Sequence, residues 1–438
     1  METDSLLRHD QLDRQYDEGE SAGLMDPRDA PQSRRSILIQ VLVGLIANLA
    51  AIGPGMNLGY SAVALPAMQA ANHTPSVSDE QASWIASLAS ISTPLGCLIS
   101  GPMLDRWGRK VALFAVNVPG LVGWILLATA QASSYFFPQV YAGRLFTGLC
   151  AIFPCLSALL SCFLPESPVW LANRGRLEEA EDNLKKLRGK DAPQHELDAL
   201  VTPNAANQAT LSVLFRPEVR KPLIIMIFFF LFQQCAGIFV VVFYAIDIAD
   251  EAGVEANGYI VTVLIGLTRF VVTIIISYAS KRYGRRLLAN ISGVGMTLCM
   301  GVLSLYLFLR HREYIDNYPW LPAICLILYI LTSTIGFLTL PWAMIGEVFP
   351  SRVRGLASGI TTCIAYLSSF AIVKFYPQMK HSMGSDALFF FYTMMALLGT
   401  FFVYVYLPET HGKTLEEVEE KFSRNCRQPI IVPMDSKA

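Results

Sequence analysis

The charged residues of this chain are gathered into short clusters, and ten apolar runs lie between them, at about 37–60, 82–104, 111–131, 139–164, 222–246, 257–280, 287–309, 320–345, 354–377 and 387–407. Each run holds about 20 residues, which as a helix suffices to cross a hydrocarbon layer roughly 30 Å thick. Apolar residues surround these predicted helices on nearly every side, as a lipid-facing, bundle-packed helix requires. A helix also satisfies its own backbone N–H and C=O groups where water is absent. The expected fold class is therefore all-α and polytopic, with the lipid bilayer as solvent and partner. Composition agrees: 53% of the 438 residues are hydrophobic and 16% charged, against about 25% charged in soluble chains. The net charge of −1 provides no concentrated basic face, so nucleic acid is not an expected partner.

Basic clusters set the orientation. Arg34 and Arg35 precede the first run, Arg106, Arg109 and Lys110 follow the second, and Lys185, Lys186 and Arg188 follow the fourth. Lys281, Arg282, Arg285 and Arg286 come next, then Arg352 and Arg354, then Lys413. With an even number of spans all of these fall on one side, which the positive-inside rule makes the cytoplasm, together with both termini. Arg310 and Arg312 depart from the rule, with Glu313 and Asp316 beside them. The sequon Asn72-His73-Thr74 falls in the first outer loop, so Asn72 is the expected glycosylation site, although Pro75 follows it. The sequon at Asn290 starts a span and should be silent. Residues 1–35 lack a cleaved-signal pattern. They do carry Glu2-Thr3-Asp4-Ser5-Leu6-Leu7, an acidic dileucine pattern that makes endosomal or lysosomal membranes the alternative to the plasma membrane.

Eight of the nine cysteines lie inside apolar runs and Cys426 lies in the polar tail, none at metal-ligand spacing, so neither a metal nor another cofactor is expected. The longest polar interruption, about 165–221, contains Leu177–Leu187, whose charges recur at helical spacing and predict a short cytoplasmic helix. The expected organisation is an N-terminal tail (1–35), a first helical bundle (36–164), this linker (165–221), a second bundle (222–407) and a C-terminal tail (408–438).

Asp105-Arg106-Trp107-Gly108-Arg109-Lys110 joins the second and third runs, and Lys281-Arg282-Tyr283-Gly284-Arg285-Arg286 joins the sixth and seventh. In each, glycine permits a tight turn at the membrane face and guanidinium groups can pair with carboxylates. Any tight inner loop collects arginines, but recurrence at equivalent places points to an internal repeat. Pro165-Glu166-Ser167-Pro168-Val169-Trp170-Leu171 and Pro408-Glu409-Thr410-His411-Gly412-Lys413-Thr414-Leu415-Glu416-Glu417 each follow an apolar run. These four segments resemble the signatures of the sugar-porter branch of the major facilitator superfamily.

That resemblance implies a major facilitator fold of two helical bundles that bind a small sugar between them. It implies ion-pair latches on the cytoplasmic side, drawn from Asp105, Arg106, Arg109, Arg144, Glu166, Arg285, Arg286, Glu347, Arg352, Arg354 and Glu409. It also implies a substrate site. Gln233-Gln234-Cys235-Ala236-Gly237-Ile238 resembles the family's "QQ-x-x-GI" segment and Pro341-Trp342 its "PW" pair, so Gln233, Gln234 and Trp342 are candidate sugar ligands, with Phe239 and Tyr244 beside them. Adjacent glutamines inside hydrocarbon need partners, which sugar hydroxyls or a neighbouring helix can supply. A tryptophan in a span can equally be a packing residue. The family usually has asparagine where this chain has Phe239 and, in the ninth span, Ala365, which leaves sugar selectivity open.

The family has twelve spans in two sixes, whereas this chain has four runs before the linker and six after it. Residues 141–150 resemble the outer half of the family's fourth span and 151–164 the inner half of its sixth, which predicts a hybrid span with a seam near Cys150. About two spans, roughly 60–75 residues, are then missing from the first bundle. Residues 37–60 contain no acidic residue, and the remaining spans offer only rim carboxylates such as Asp247, so downhill transport is the simpler mechanism. Arg269, mid-way along the sixth run, is either a further latch or a cation satisfied by a helix end or by snorkelling. Two functions are expected from these features: facilitative transport of a sugar such as glucose or trehalose by alternating access, or a transport-inactive form that associates with a full-length carrier. An enzyme is not expected, because no nucleophile–base pair or phosphate-cradling loop lies outside the runs.

Overall fold

The computed structural model describes residues 34–49, 52–69, 75–130, 135–149, 165–188, 217–251, 258–280, 282–316, 318, 320–349, 353–413, 417–418 and 422, and regular structure among them is helical throughout. The chain divides into two compact units, Met1–Leu45 with Ser167–Thr202 and Ile46–Glu166 with Pro203–Ala438.

The smaller unit contains most of α1 (Arg34–Leu49), then α5 (Pro168–Asn173) and α6 (Leu177–Arg188). Ser167 caps α5 and Pro168 opens it, where a missing N–H does no harm. Gly175, at φ 75°, turns the chain into α6. Helix α6 matches the expected 177–187 segment: Ala180 and Leu184 are buried, while Lys185 pairs with Glu181 at 2.6 Å on the solvated side. Gln40 Nε2 of α1 donates to the Leu187 carbonyl at 3.3 Å, satisfying one of the last carbonyls of α6.

The larger unit holds α2 (Ile52–Gln69), α3 (Asp79–Thr129), α4 (Phe136–Leu149), α7 (Pro217–Cys235), α8 (Ile238–Phe243), α9 (Ala245–Glu251), α10 (Gly258–Ala279), α11 (Arg285–His311), α12 (Trp320–Ile335), α13 (Leu340–Val348), α14 (Arg354–Met383) and α15 (Ser385–Tyr406). Helix α3 starts with a capping box in which Ser78 and Gln81 satisfy each other's backbone N–H, and Asp79 and Glu80 lie in its first turn, where the helix dipole favours negative charge. Its 51 residues carry the expected span 82–104 and, as far as Thr129, the expected span 111–131, with a bend at Gly108 (φ 88°, ψ 171°).

Five segments among the described residues are long and apolar enough to cross a membrane: Thr262–Ala279, Arg285–His311, Trp320–Val348, Gly355–Met383 and Ser385–Tyr406. The expected first span is carried by α1 and α2, and the expected fifth by α7, α8 and α9, which a break at Ala236 and Gly237 interrupts. The expected eighth is carried by α12 and α13, separated by a non-helical turn at 336–339. Of the expected hybrid span, α4 ends at Leu149, and residues 150–164, with the proposed seam, lie outside the described residues. The core is aromatic: Phe229, Phe230, Phe337, Phe389, Tyr329 and Tyr392 are all buried. Leucines, isoleucines and phenylalanines point outward from α10, α11 and α15, where a soluble protein would hide them and lipid does not require it.

Candidate substrate site and gates

Four of the five substrate candidates, Gln233, Gln234, Phe239 and Trp342, lie beside two helix breaks. Helix α7 stops after Cys235, and Gly237 takes φ 82°, a left-handed conformation that costs glycine little. A Cβ there would sit 2.9 Å from the Tyr392 ring, so close approach also demands glycine. The carbonyl freed at Ala236 accepts the Tyr329 hydroxyl at 2.7 Å. The second break, at 336–339, is satisfied in the same manner: Gln233 Nε2 donates to the Phe337 carbonyl at 2.7 Å and the Leu338 carbonyl at 3.2 Å, while the Ser292 hydroxyl accepts the Phe337 N–H at 2.9 Å. Unwound backbone is tolerated at membrane depth where side chains replace the lost bonds.

Gln233 therefore ties α7 to the α12–α13 break. Its Oε1 accepts from Gln234 Nε2 at 3.3 Å, and the Oε1 of Gln234 is buried with no hydrogen-bond partner. The buried hydroxyl of Tyr392 is likewise unpartnered. An unsatisfied buried acceptor costs about 1–3 kcal/mol, which a donor hydroxyl would recover. Trp342 packs edge-on to Phe230 at 4.8 Å between ring centroids and also contacts Tyr366 at 5.6 Å. Phe230 lies one helical turn before Gln234, so the tryptophan and the glutamine pair share a neighbourhood. Phe239 is buried against Phe243 and presents no polar group. Tyr244 is placed apart from these residues. Its ring stacks on Tyr376 at 4.5 Å, its hydroxyl donates to the Val373 carbonyl at 3.5 Å, and it lines a cavity of about 600 Å³ with Asp79, Asp247, Asp250, Lys380 and His381.

At the other end, Arg285 donates to both oxygens of Glu347, at 2.8 and 3.3 Å, and the Thr410 hydroxyl donates to the same carboxylate at 2.6 Å. Glu409 lies over the N-terminus of α11 and accepts the backbone N–H groups of Arg285 (2.9 Å), Arg286 (3.2 Å) and His411 (3.0 Å). Partial burial alone would raise its pKa, but the N–H donors of His411, Arg285, Arg286 and Thr410 outweigh it and hold the carboxyl below the usual glutamate range. A Cβ on Gly284 would overlap the Glu409 carboxylate, and one on Gly108 would overlap that of Glu166. The two motif pairs thus meet in the same way in both halves. Arg286 also lies 5.2 Å over the Tyr404 ring. Arg106 is exposed. Arg352 and Asn72 lie outside the described residues, as do the side chains of Asp105, Arg109 and Arg354.

Arg144, grouped with the latches by its motif, is placed differently. Its guanidinium is fully buried and donates to the carbonyls of Ile85 (2.8 Å), Ala86 (3.4 Å) and Asn57 (3.2 Å), to the Asn57 side-chain oxygen and to the Ser61 hydroxyl (2.7 Å), with the Tyr60 ring 5.1 Å away. It joins α2, α3 and α4 through neutral acceptors. Arg269 lies partly buried on α10.

Residues 141–422 match the family model described as "Sugar (and other) transporter", and residues 47–177 match "Major Facilitator Superfamily". The chain belongs to the sugar transporter family of the major facilitator superfamily. Among its relatives, the facilitated trehalose transporter Tret1 of Drosophila pseudoobscura pseudoobscura is 29% identical over 455 residues, covering 90% of this chain and 52% of that one. The Tret1 of Drosophila erecta is 30% identical, covering 90% and 53%. The chain thus spans about half the length of the curated relatives it matches. Among solved structures, the proton:xylose symporter XylE bound to 6-bromo-6-deoxy-D-glucose has a TM-score of 0.70 at 18% identity, covering 88% of this chain and all of that one. The inward open conformation of XylE from E. coli has a TM-score of 0.66 at 18% identity, covering 87% and 99%. These structures share its fold. As a member of this transporter family the chain is a multi-pass integral membrane protein and not an enzyme.

The sequence did not single out Tyr329, Tyr392 or Asn57. Tyrosines and a lone asparagine are common in spans, and only the folded chain brings them to a helix break or a buried cation.

Proposed function

We propose that this sugar porter is a facilitative carrier that binds a sugar such as glucose or trehalose at the α7–α8 break and moves it by alternating access. The observation that carries this reading is the buried, unpartnered Gln234 oxygen beside two broken helices and near Trp342: an acceptor for a hydroxyl and an aromatic surface for a sugar ring. Arg285, Glu347 and Glu409 serve as the inner latch, and Tyr244 belongs to the outer gate. Uniport is favoured by the setting of Arg144, whose partners Asn57, Ser61 and Tyr60 carry no carboxylate to load and unload a proton. Names of the Drosophila relatives agree with trehalose and with facilitated transport. The test is uptake of radiolabelled trehalose and glucose into proteoliposomes. Uptake should run downhill, should not be driven uphill by a proton gradient, and should fall about tenfold in Gln234→Leu. No uptake above that of protein-free liposomes would overturn the reading.

A second reading, a transport-inactive form that associates with a full-length carrier, is favoured by α10. Only 11% of its apolar window is buried, against 28–56% for the other four spanning segments, so it presents the most uncovered face. Co-purification of a tagged full-length carrier with this chain, together with absent uptake by the chain alone, would support this second reading over the first. The proposed location is the plasma membrane, with endosomal or lysosomal membranes as the alternative.

A further inference from the structure

Lys374 is a lysine inside a spanning helix, on α14, and it is buried. A cation at such a position is expensive unless it has partners, and it commonly marks a functional element. Its partners all belong to α3, in the other half of the chain. Nζ donates to the Ser83 hydroxyl at 2.7 Å and lies 4.3 Å from the centroid of the Trp84 ring. Ser83 is itself held, donating to the Glu80 carbonyl at 2.7 Å in the first turn of α3. Phe370, one turn before Lys374, packs near the same tryptophan, with 6.1 Å between ring centroids. On the neighbouring face of α14, Val373 and Tyr376 receive Tyr244. One turn of α14 therefore grips both α3 and the α8–α9 junction, beside the cavity whose lining includes Asp79, Ala82, Tyr244 and Tyr376. By the charge pattern of the loops, this end faces outward.

We propose that Lys374, clasping Ser83 and Trp84, is a positioning residue that latches the outer gate. It holds α14 against α3 when the carrier is closed to the outside, and it must release before the outer cavity deepens toward the glutamines. The arrangement suits a latch. The cation is held by a hydroxyl and a ring face, with the Glu80 carboxylate also acting on it through space, so the contact is strong while lipid and protein exclude water and weakens once water enters. This proposal rests on the alternating-access reading, but its test does not use sugar.

The test introduces Ala82→Cys, a buried position that lines the cavity, and measures its labelling by a membrane-impermeant maleimide added from outside, with the unsubstituted chain as blank. Lys374→Met should raise the labelling rate about tenfold, the population change that loss of one desolvated cation–π contact produces. Lys374→Arg should restore slow labelling. If Lys374→Met does not fold, the tryptophan decides: Trp84→Ala should label fast, whereas Trp84→Phe, which keeps a ring face, should label slowly. Equal labelling in Lys374→Met and Lys374→Arg, or in Trp84→Ala and Trp84→Phe, would overturn the latch. Fast labelling of Lys374→Met in a chain that moves no sugar would instead overturn the transport reading and leave the latch standing.

Discussion

Arg144 and Glu409 show how one charged residue is made tolerable in a membrane protein. Arg144 makes five hydrogen bonds to acceptors on two neighbouring helices, a geometry that lysine's single ammonium cannot reproduce. Arg144→Lys should therefore lower stability by about 2–3 kcal/mol through acceptors left unsatisfied, read as a lower Tm in detergent. Glu409 uses backbone donors in place of a cation. Because its carboxyl is held below the usual glutamate range, its contribution is complete above the unfolded value of about 4.3 and is lost as pH falls below that toward the folded value. Thermal scans between pH 3 and 7 should show the parent chain losing stability at the acid end. Glu409→Gln, about 2 °C less stable at neutral pH, should lack that part of the decline. Equal acid slopes in the two proteins would remove Glu409 from this role.

At the scale of the helix, the two breaks at 236–237 and 336–339 depend on each other, since α7 supplies the glutamine that satisfies the second and α12 supplies the tyrosine that satisfies the first. Gly237→Ala should be disruptive twice over, through positive φ and through contact with Tyr392, at a cost of about 1–3 kcal/mol. Limited proteolysis and Tm of the purified variant would measure it. A variant as stable as the parent would mean that the left-handed turn at 237 can be replaced. Helix α10 carries a different prediction. Restoring the two missing spans to the first bundle should shield its outward residues, such as Val263 and Phe270, from a lipid-soluble photolabel that modifies them in this chain. Unchanged modification would place the restored helices elsewhere.

Across the whole molecule, long apolar runs were the most legible feature, because lipid demands about twenty such residues whatever the neighbours do. The runs at 257–280, 287–309, 354–377 and 387–407 correspond closely to α10, α11, α14 and α15. The break after Gln234 could be anticipated at Gly237, a residue suited to it. The turn at 336–339 is likewise legible in Gly336 and in Pro341, which has no N–H for the Phe337 carbonyl; what could not be anticipated is that Gln233 and Ser292 arrive from elsewhere in the chain to satisfy it. Lys374 was hidden for a related reason: one cation near the end of an apolar run reads as an interfacial lysine until Trp84 and Ser83 are seen beside it. Motifs singled out Arg285, Glu347 and Glu409, which the structure brings together, but they grouped Arg144 with them, because a motif states a residue's company in sequence and not its partners in space.

The glycine notches at 108 and 284 each receive a glutamate from the far end of their own half, Glu166 and Glu409. Each half thereby seats a glutamate of its own on a glycine of its own. Loosening one with a bulkier residue should leave its twin shut, so that the inner face opens lopsidedly, like a double door with one bolt drawn.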